Sequence, residues 1–158
     1  MKRLSFACGS LAMLLPGLLA ASVAAQIAEH GLMPIIEPEV SIKSPEKAGA
    51  EAILLAELTR KLDAAPDGPQ VMLKLTLPDV PDLYLPLVKH KRVTRVVALS
   101  GGYTRAEACR RLAANHGVIA SFSRALVEEL RHSMSDAEFE AALAKSIDEI
   151  YRASTEKV

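Results

Sequence analysis

The stretch Val-Met-Leu-Lys-Leu-Thr-Leu-Pro, from Val71 to Pro78, decides the fold class of this chain. Its nearly continuous apolar run from Val71 to Leu75, followed by a proline-rich bend, predicts a strand buried in a parallel sheet. Similar runs stand at Leu32–Ile36, Val93–Leu99 and Val118–Phe122, and helical patterns separate them. This order predicts an α/β fold of four parallel strands with helices. Four such units equal half of a (β/α)8 TIM barrel, although periodicity alone allows a small open sheet equally well.

Five segments carry helical patterns. The first has Ser44 as its cap and Pro45 at its first position. Its apolar residues recur every three or four positions, at Ala48, Ala52, Leu55, Leu58 and Leu62. Two others are predicted over Asp82–His90 and Ser123–Arg131. The remaining two are predicted to begin at a capping box of Thr104 and Glu107 and at a cap formed by Ser135 and Glu138. The apolar stripe of the last is Phe139, Leu143, Ile147, Ile150 and Tyr151.

Composition excludes several function classes. Nineteen basic residues balance nineteen acidic ones and tryptophan is absent, so we expect neither nucleic acid nor an anionic membrane as a partner. The two cysteines and four histidines match no metal-ligand or redox spacing. We therefore expect no metal and no cofactor.

Residues 1–25 form a separate segment. Lys2 and Arg3 precede an apolar run that ends in small residues near Ala25, which is the pattern of a secretory signal. An ordinary apolar helix, unrelated to the rest of the chain, explains the same residues. The predicted organisation is thus a signal-like or non-homologous segment 1–25 and a half-barrel domain 26–158.

Lys74 carries the strongest local chemical signal. It interrupts an apolar strand whose neighbours would remove water from its ammonium. Such desolvation lowers the pKa of a lysine and frees an amine that can attack a ketone and form an iminium. A lysine at a strand end that extends to solvent is the competing interpretation.

Glu37 and Glu39 flank Pro38, so both carboxylates project from one extended segment. Two nearby carboxylates can divide the roles of proton donor and acceptor that imine formation needs. Taken alone, the pair is as consistent with a solvated acidic turn.

A phosphate clamp is predicted at the ends of the third and fourth strands. Ser100-Gly101-Gly102 lets backbone N–H groups approach an anion, and a helix near Ser123 would offer unpaired donors. Arg124 adds a charged fork in the first turn of that helix. A glycine turn beside a surface arginine is the alternative.

Four segments together resemble class I, Schiff-base-forming fructose-bisphosphate aldolases, most closely the bacterial branch. They are Gly31–Val40, Val71–Pro78, Arg95–Tyr103 and Ile119–Leu126. They occur in the family's order, and the match runs from about Ala25 to the C-terminus. The resemblance implies a glycolytic carbon–carbon lyase of the cytoplasm, or an exported protein if residues 1–25 act as a signal.

The resemblance also implies roles for individual residues. Lys74 would form the Schiff base with dihydroxyacetone phosphate, while Glu37 would move protons and Glu39 would line the site. The substrate phosphate would lie at Ser100, Gly101, Gly102, Ser123 and Arg124.

Family members are about twice as long, and their other half supplies an aspartate and further lysines. We therefore expect a truncated C-terminal half with weak or no cleavage of fructose 1,6-bisphosphate on its own. Its partners would be sugar phosphates and either a second copy or a complementing N-terminal half. The alternatives are a non-catalytic fragment that binds phosphate or a partner, and, less favoured by the motifs, another lysine-dependent barrel aldolase.

Overall fold

A computed structural model describes residues 23–64 and 67–158. Residues 23–29 are helical, and the remainder of the predicted signal-like segment lies outside the described residues. The predicted boundary after Ala25 therefore stays a prediction. Within the described ranges, no helix combines the length and apolarity needed to cross a membrane.

The described chain folds around a four-stranded parallel sheet in the order β1-β2-β3-β4. The strands are β1 (Ile35–Ile36), β2 (Val71–Thr76), β3 (Val93–Leu99) and β4 (Val118–Ala120). The helices are α1 (Lys47–Asp63), α2 (Leu85–Val88), α3 (Arg105–Ala113) and α4 (Asp136–Thr155). Strands and helices alternate along the chain, so the predicted α/β class is confirmed.

The hydrophobic core lies between one face of the sheet and the helices. Leu73 and Leu75 of β2 are fully buried there, together with Leu112 of α3. Because side chains alternate along a strand, Met72 and Lys74 project from the opposite face, where they remain partly exposed. That second face is the one on which the candidate site is built.

The first strand is shorter and more exposed than the sequence indicated. Only Ile35 and Ile36 pair with β2, whereas Leu32 is 64% and Ile35 47% exposed. The prediction of a buried strand from Leu32 to Ile36 is wrong because this strand has a neighbour on one side only among the described residues. Pro34 precedes the strand and its carbonyl accepts the Met72 N–H, as a proline before a strand can.

The start and inward face of α1 also differ from the prediction. The helix begins at Lys47 after Glu46, without a side-chain cap from Ser44. Ala48 and Ala52 are exposed, while Lys47 and Glu51 point inward as a buried ion pair. The two charges satisfy each other, so the first turns of the helix depart from the apolar periodicity. The predicted apolar residues of the later turns, such as Leu62, do pack in or against the core.

The structure contradicts the predicted helix from Ser123 to Arg131. This segment consists of turns, with a single helix-like hydrogen bond from the Val127 N–H to the Ser123 carbonyl. Of the predicted helix from Asp82 to His90, only the four residues of α2 are helical.

The last helix begins as predicted, but of its predicted apolar stripe Ile150 packs against the core while three residues are exposed. Ser135 and Glu138 form a complete capping box. The buried residues of α4 are Ser146 and Ala153, whereas most of the predicted apolar stripe is exposed, with Phe139 at 41%, Ile147 at 52% and Tyr151 at 64%. The helix packs against α3 and β4, and its most buried positions are the small residues Ser146 and Ala153.

Candidate active site

A polar cavity of about 180 Å³ lies where the carboxyl ends of the strands converge. It is lined by Glu37, Glu39, Lys74, Leu99, Ser100, Gly101, Ser121, Ser123 and Arg124. Of the residues that the sequence singled out for a site, the structure brings all but Gly102 to this cavity. Its volume is below the roughly 300–1,000 Å³ of pockets for drug-sized ligands, so it suits a small ligand.

Lys74 and Glu37 meet across the gap between β2 and the segment that follows β1. The Lys74 Nζ donates to Glu37 Oε2 at 2.8 Å. Both side chains remain in contact with solvent, Lys74 being 27% and Glu37 47% exposed. The pair therefore joins an amine to a group that can accept its proton, with room for a ligand beside it.

The desolvation of Lys74 that the strand sequence predicted is not provided by its neighbours. Leu73 and Leu75 point away from it into the helix-covered core. The Lys74 side chain, 27% exposed, lines both the polar cavity and a neighbouring, mainly apolar groove that includes Ile119 and Phe122. The residues before and after a strand residue in sequence lie on the opposite face of the sheet, so they do not desolvate it.

Thr76 holds the acidic segment in place, and the sequence reading missed it. Its buried hydroxyl accepts a hydrogen bond from the backbone N–H of Val40 at 3.0 Å. This contact ties the chain just after Glu39 to the end of β2, two residues beyond Lys74. A threonine at the carboxyl end of a buried strand was the available signal.

The backbone conformation of the turn after β3 requires glycine at Gly101 and Gly102. Gly101 has φ +63°, and a Cβ there would lie 2.8 Å from Ile42 Cγ2. Gly102 has φ +100°, and a Cβ there would be 3.8 Å from the Arg124 guanidinium. Both residues adopt conformations that favour glycine, and they bring the backbone close to the cavity.

Arg124 is the cation of the cavity that lacks a protein counter-ion. It is exposed, and no residue within the described ranges forms an ion pair or hydrogen bond with its guanidinium. The Ser123 segment is a turn, so the predicted helix N-terminus does not contribute donors here. An unpaired guanidinium facing a small polar cavity favours an anionic ligand.

Arg105 anchors the turn segment that carries Arg124. Its backbone N–H donates to Glu128 Oε2 at 2.7 Å, and its guanidinium donates to Glu129 at 2.6 Å. The same guanidinium reaches Glu149 and Ser146 on α4, and only 5% of Arg105 is exposed. The sequence reading missed this anchor because all of its partners are distant in the chain.

A second buried network fixes the loop that follows β2. The Lys47 Nζ binds Glu51, the Leu77 carbonyl at 2.9 Å and Asp79 at 3.1 Å. Glu51 also accepts the backbone N–H of Asp79 at 3.0 Å. Arg111 binds Asp79 at 2.9 Å from α3. The loop is thereby held from two helices.

The site offers no ligand set for a metal. Across the residues that the structure describes, no group of three or more His, Cys, Asp or Glu side chains is placed to hold an ion. The chemistry that the cavity can support is that of an amine, carboxylates and an anion-binding cation.

Comparison with known proteins gives the family. No family model matches the chain. Fructose-bisphosphate aldolase class 1 of Synechocystis sp. is 56% identical over 132 residues, which cover 84% of this chain and 44% of that protein. Fructose-bisphosphate aldolase class 1 of Porphyromonas gingivalis is 54% identical over 129 residues, covering 82% of this chain and 43% of that protein. The chain spans less than half the length of these relatives, and over the matched residues it belongs to the class 1 fructose-bisphosphate aldolase family.

Proposed function

We propose that this chain carries the ketone-phosphate half of a class 1 fructose-bisphosphate aldolase site and forms a Schiff base through Lys74. The observation that carries the proposal is one cavity that holds the Lys74–Glu37 pair and the unpaired guanidinium of Arg124. An amine next to a proton acceptor suits a carbonyl, and the cation suits a phosphate. Dihydroxyacetone phosphate has both groups.

The imine would form in two steps. Lys74 Nζ first passes a proton to Glu37, 2.8 Å away, and its lone pair attacks the C2 carbonyl carbon. The carbonyl oxygen takes up a proton and the nitrogen gives one up to a carboxylate of the cavity, which gives a neutral carbinolamine. Protonation of that hydroxyl lets it leave as water, and the nitrogen lone pair forms the C=N⁺ bond of the iminium. Glu37 and Glu39 are the carboxyl groups of the cavity that can supply and accept these protons.

The phosphate would lie at the ends of β3 and β4. Arg124 supplies charge, and the side chains and backbone of Ser100, Gly101 and Ser123 supply polar groups at the same cavity. Gly102 would allow the guanidinium to approach, since a Cβ there would be 3.8 Å from it. Because the cavity is small, we expect imine formation with the triose and weak or no cleavage of fructose 1,6-bisphosphate by the chain alone.

A non-catalytic domain that binds phosphate or a partner is the second candidate. Lys74 is 27% and Glu37 47% exposed, and the chain covers less than half of its relatives. Catalytic sites normally exclude water from an amine of this kind. In that case the cavity would bind the phosphate without bonding to the ketone.

Borohydride trapping separates the two candidates. The chain is incubated with dihydroxyacetone phosphate, the iminium is reduced to a secondary amine, and mass spectrometry locates the adduct. We expect the adduct on Lys74, its loss in Lys74→Met, and its retention in Lys89→Met, which replaces an exposed lysine outside the cavity. An adduct that survives Lys74→Met would refute the assignment.

Arg124→Gln tests the phosphate subsite separately from the imine. We expect it to slow trapping by dihydroxyacetone phosphate while leaving trapping by unphosphorylated dihydroxyacetone unchanged. Absence of any adduct on folded protein, together with phosphate binding that Arg124→Gln weakens, would favour the binding domain instead.

A further inference from the structure

The position of the Arg124 guanidinium depends on a segment that is not part of a helix or strand. Residues 123–129 form bends and turns, and the guanidinium has no partner among the described residues. Phe122 and Ala125 pack into the core, whereas residues 127–129 are exposed. The guanidinium is therefore placed by whatever holds the outer part of this segment.

Arg105 holds that outer part. Its backbone N–H donates to Glu128 Oε2 at 2.7 Å, and its guanidinium donates to Glu129 Oε1 at 2.6 Å. The guanidinium is fixed from its other side by Glu149 Oε2 at 2.6 Å and by Ser146 Oγ at 2.9 Å. Only 5% of Arg105 is exposed. Because Arg105 is itself held on several sides, its contacts with the segment fix the segment in place.

Arg105 also belongs to the opposite wall of the phosphate subsite. It is the first residue of α3 and follows Gly102 by three positions. The glycine turn before it is closed by the Tyr103 N–H, which donates to the Ser100 carbonyl at 2.9 Å. One residue thus connects the glycine turn after β3 to the segment after β4 that carries Arg124.

We propose that Arg105 is a positioning residue for the phosphate subsite, an inference that rests on the proposed function of the cavity. Arg105 does not line the cavity, so it acts through the two backbone segments that it joins. By fixing the distance between the glycine turn and the Arg124 guanidinium, it determines the affinity for phosphate. The imine chemistry of Lys74 and Glu37 does not depend on it.

Glu129 and Glu149 provide a matched pair of variants. Each accepts from the Arg105 guanidinium at 2.6 Å, and their side chains are 47% and 40% exposed. Each also lies 3.9 Å from the Lys145 Nζ. They differ in location, because Glu129 belongs to the segment that carries Arg124 and Glu149 belongs to α4. Only Glu129→Ala releases the segment.

Calorimetric titration of the 158-residue chain with inorganic phosphate measures the effect. We expect Glu129→Ala to raise the phosphate dissociation constant about fivefold and Glu149→Ala to leave it within about twofold of the wild type. Each variant removes one negative charge, which by itself favours anion binding. Weaker binding by Glu129→Ala therefore cannot come from the change in charge.

Borohydride trapping separates positioning from a general loss of structure. We expect Glu129→Ala to slow trapping by dihydroxyacetone phosphate and to leave trapping by unphosphorylated dihydroxyacetone unchanged. An equal loss with both ketones, or equal weakening of phosphate binding by Glu129→Ala and Glu149→Ala, would overturn the positioning role.

The wild type and Arg124→Gln distinguish this inference from the proposed function. Unchanged phosphate binding by Glu129→Ala, where the wild type binds phosphate and Arg124→Gln weakens it, would overturn the role of Arg105 and leave the phosphate subsite intact. A wild-type chain that does not bind phosphate, or whose binding Arg124→Gln does not weaken, would overturn the subsite and this inference together.

Discussion

Glu51→Gln tests whether the buried ion pair of α1 holds the loop after β2. Glu51 is fully buried, and its carboxylate accepts from the Lys47 ammonium and from the backbone N–H of Asp79. Glutamine preserves the size of the side chain and one oxygen that can accept the Asp79 N–H. The substitution removes the negative charge and leaves the Lys47 ammonium buried.

The magnitude follows from what remains around Lys47. Loss of one partner of a buried ion pair destabilises a protein by about 3–5 kcal/mol. Here Asp79 stays 3.1 Å from the Lys47 Nζ and the Leu77 carbonyl 2.9 Å away, although the Asp79 side chain is 36% exposed. We therefore expect the free energy of unfolding to fall by about 3 kcal/mol, the lower end of that range.

A double variant separates charge from packing. Adding Lys47→Met to Glu51→Gln removes the uncompensated cation. It leaves the buried Leu77 carbonyl without its donor, while Asp79 loses Lys47 but keeps Arg111. An unsatisfied buried acceptor destabilises by about 1–3 kcal/mol, so we expect the double variant to recover about 1 kcal/mol relative to Glu51→Gln.

Urea unfolding followed by circular dichroism at pH 7 measures these differences. Glu57→Gln is the control on the same helix and should change stability little, because the Glu57 side chain is 46% exposed and, among the described residues, forms its ion pair with the neighbouring Arg60. The reasoning fails if Glu51→Gln unfolds within about 1 kcal/mol of the wild type, or if the double variant is the less stable of the two.

Two further predictions concern the glycine turn and the acid response. Gly101→Ala should lower the free energy of unfolding by roughly 1–2 kcal/mol, because Gly101 has φ +63° and a Cβ would lie 2.8 Å from Ile42. We also expect it to weaken phosphate binding measured by calorimetry, and an unchanged midpoint of urea unfolding would contradict the reasoning. Hydrogen bonds from Arg110 and Arg111 lower the pKa of Glu107 from 4.5 to about 2, so its stabilising contribution is complete above pH 4.5 and is lost as the pH falls towards 2. Stability of Glu107→Gln, measured by urea unfolding across this window, should therefore depend less on pH than that of the wild type, and parallel curves would contradict the assignment.

The order of the strands could be predicted from local sequence. β3 begins and ends where the apolar run from Val93 to Leu99 does, and β2 extends the predicted run by one residue, to Thr76. Runs of this kind are visible because residues that favour strands stand next to one another in the sequence. The capping box of Ser135 and Glu138 was equally visible because both partners lie within four residues.

Helix faces and loop structure could not be predicted in the same way. The turns from Ser123 to Leu130 have a helical apolar pattern, yet Arg105 holds them through Glu128 and Glu129 from more than twenty residues away. In α4, Phe139, Ile147 and Tyr151 of the predicted stripe are exposed, whereas Ser146 and Ala153 are buried and Ile150 packs against the core. These outcomes depend on partners that are distant in sequence.

The sequence by itself determined the class of the fold, the strand that carries Lys74 and the residues that gather at the strand ends. Local periodicity and the carboxyl-end rule for parallel strands are sufficient for that. Only the tertiary structure decided that Glu37 meets Lys74 at 2.8 Å, that Lys74 is partly exposed, and that Arg124 has no counter-ion among the described residues. Distances, exposure and pairing arise from side chains that converge from separate elements, and no local stretch of sequence contains both partners.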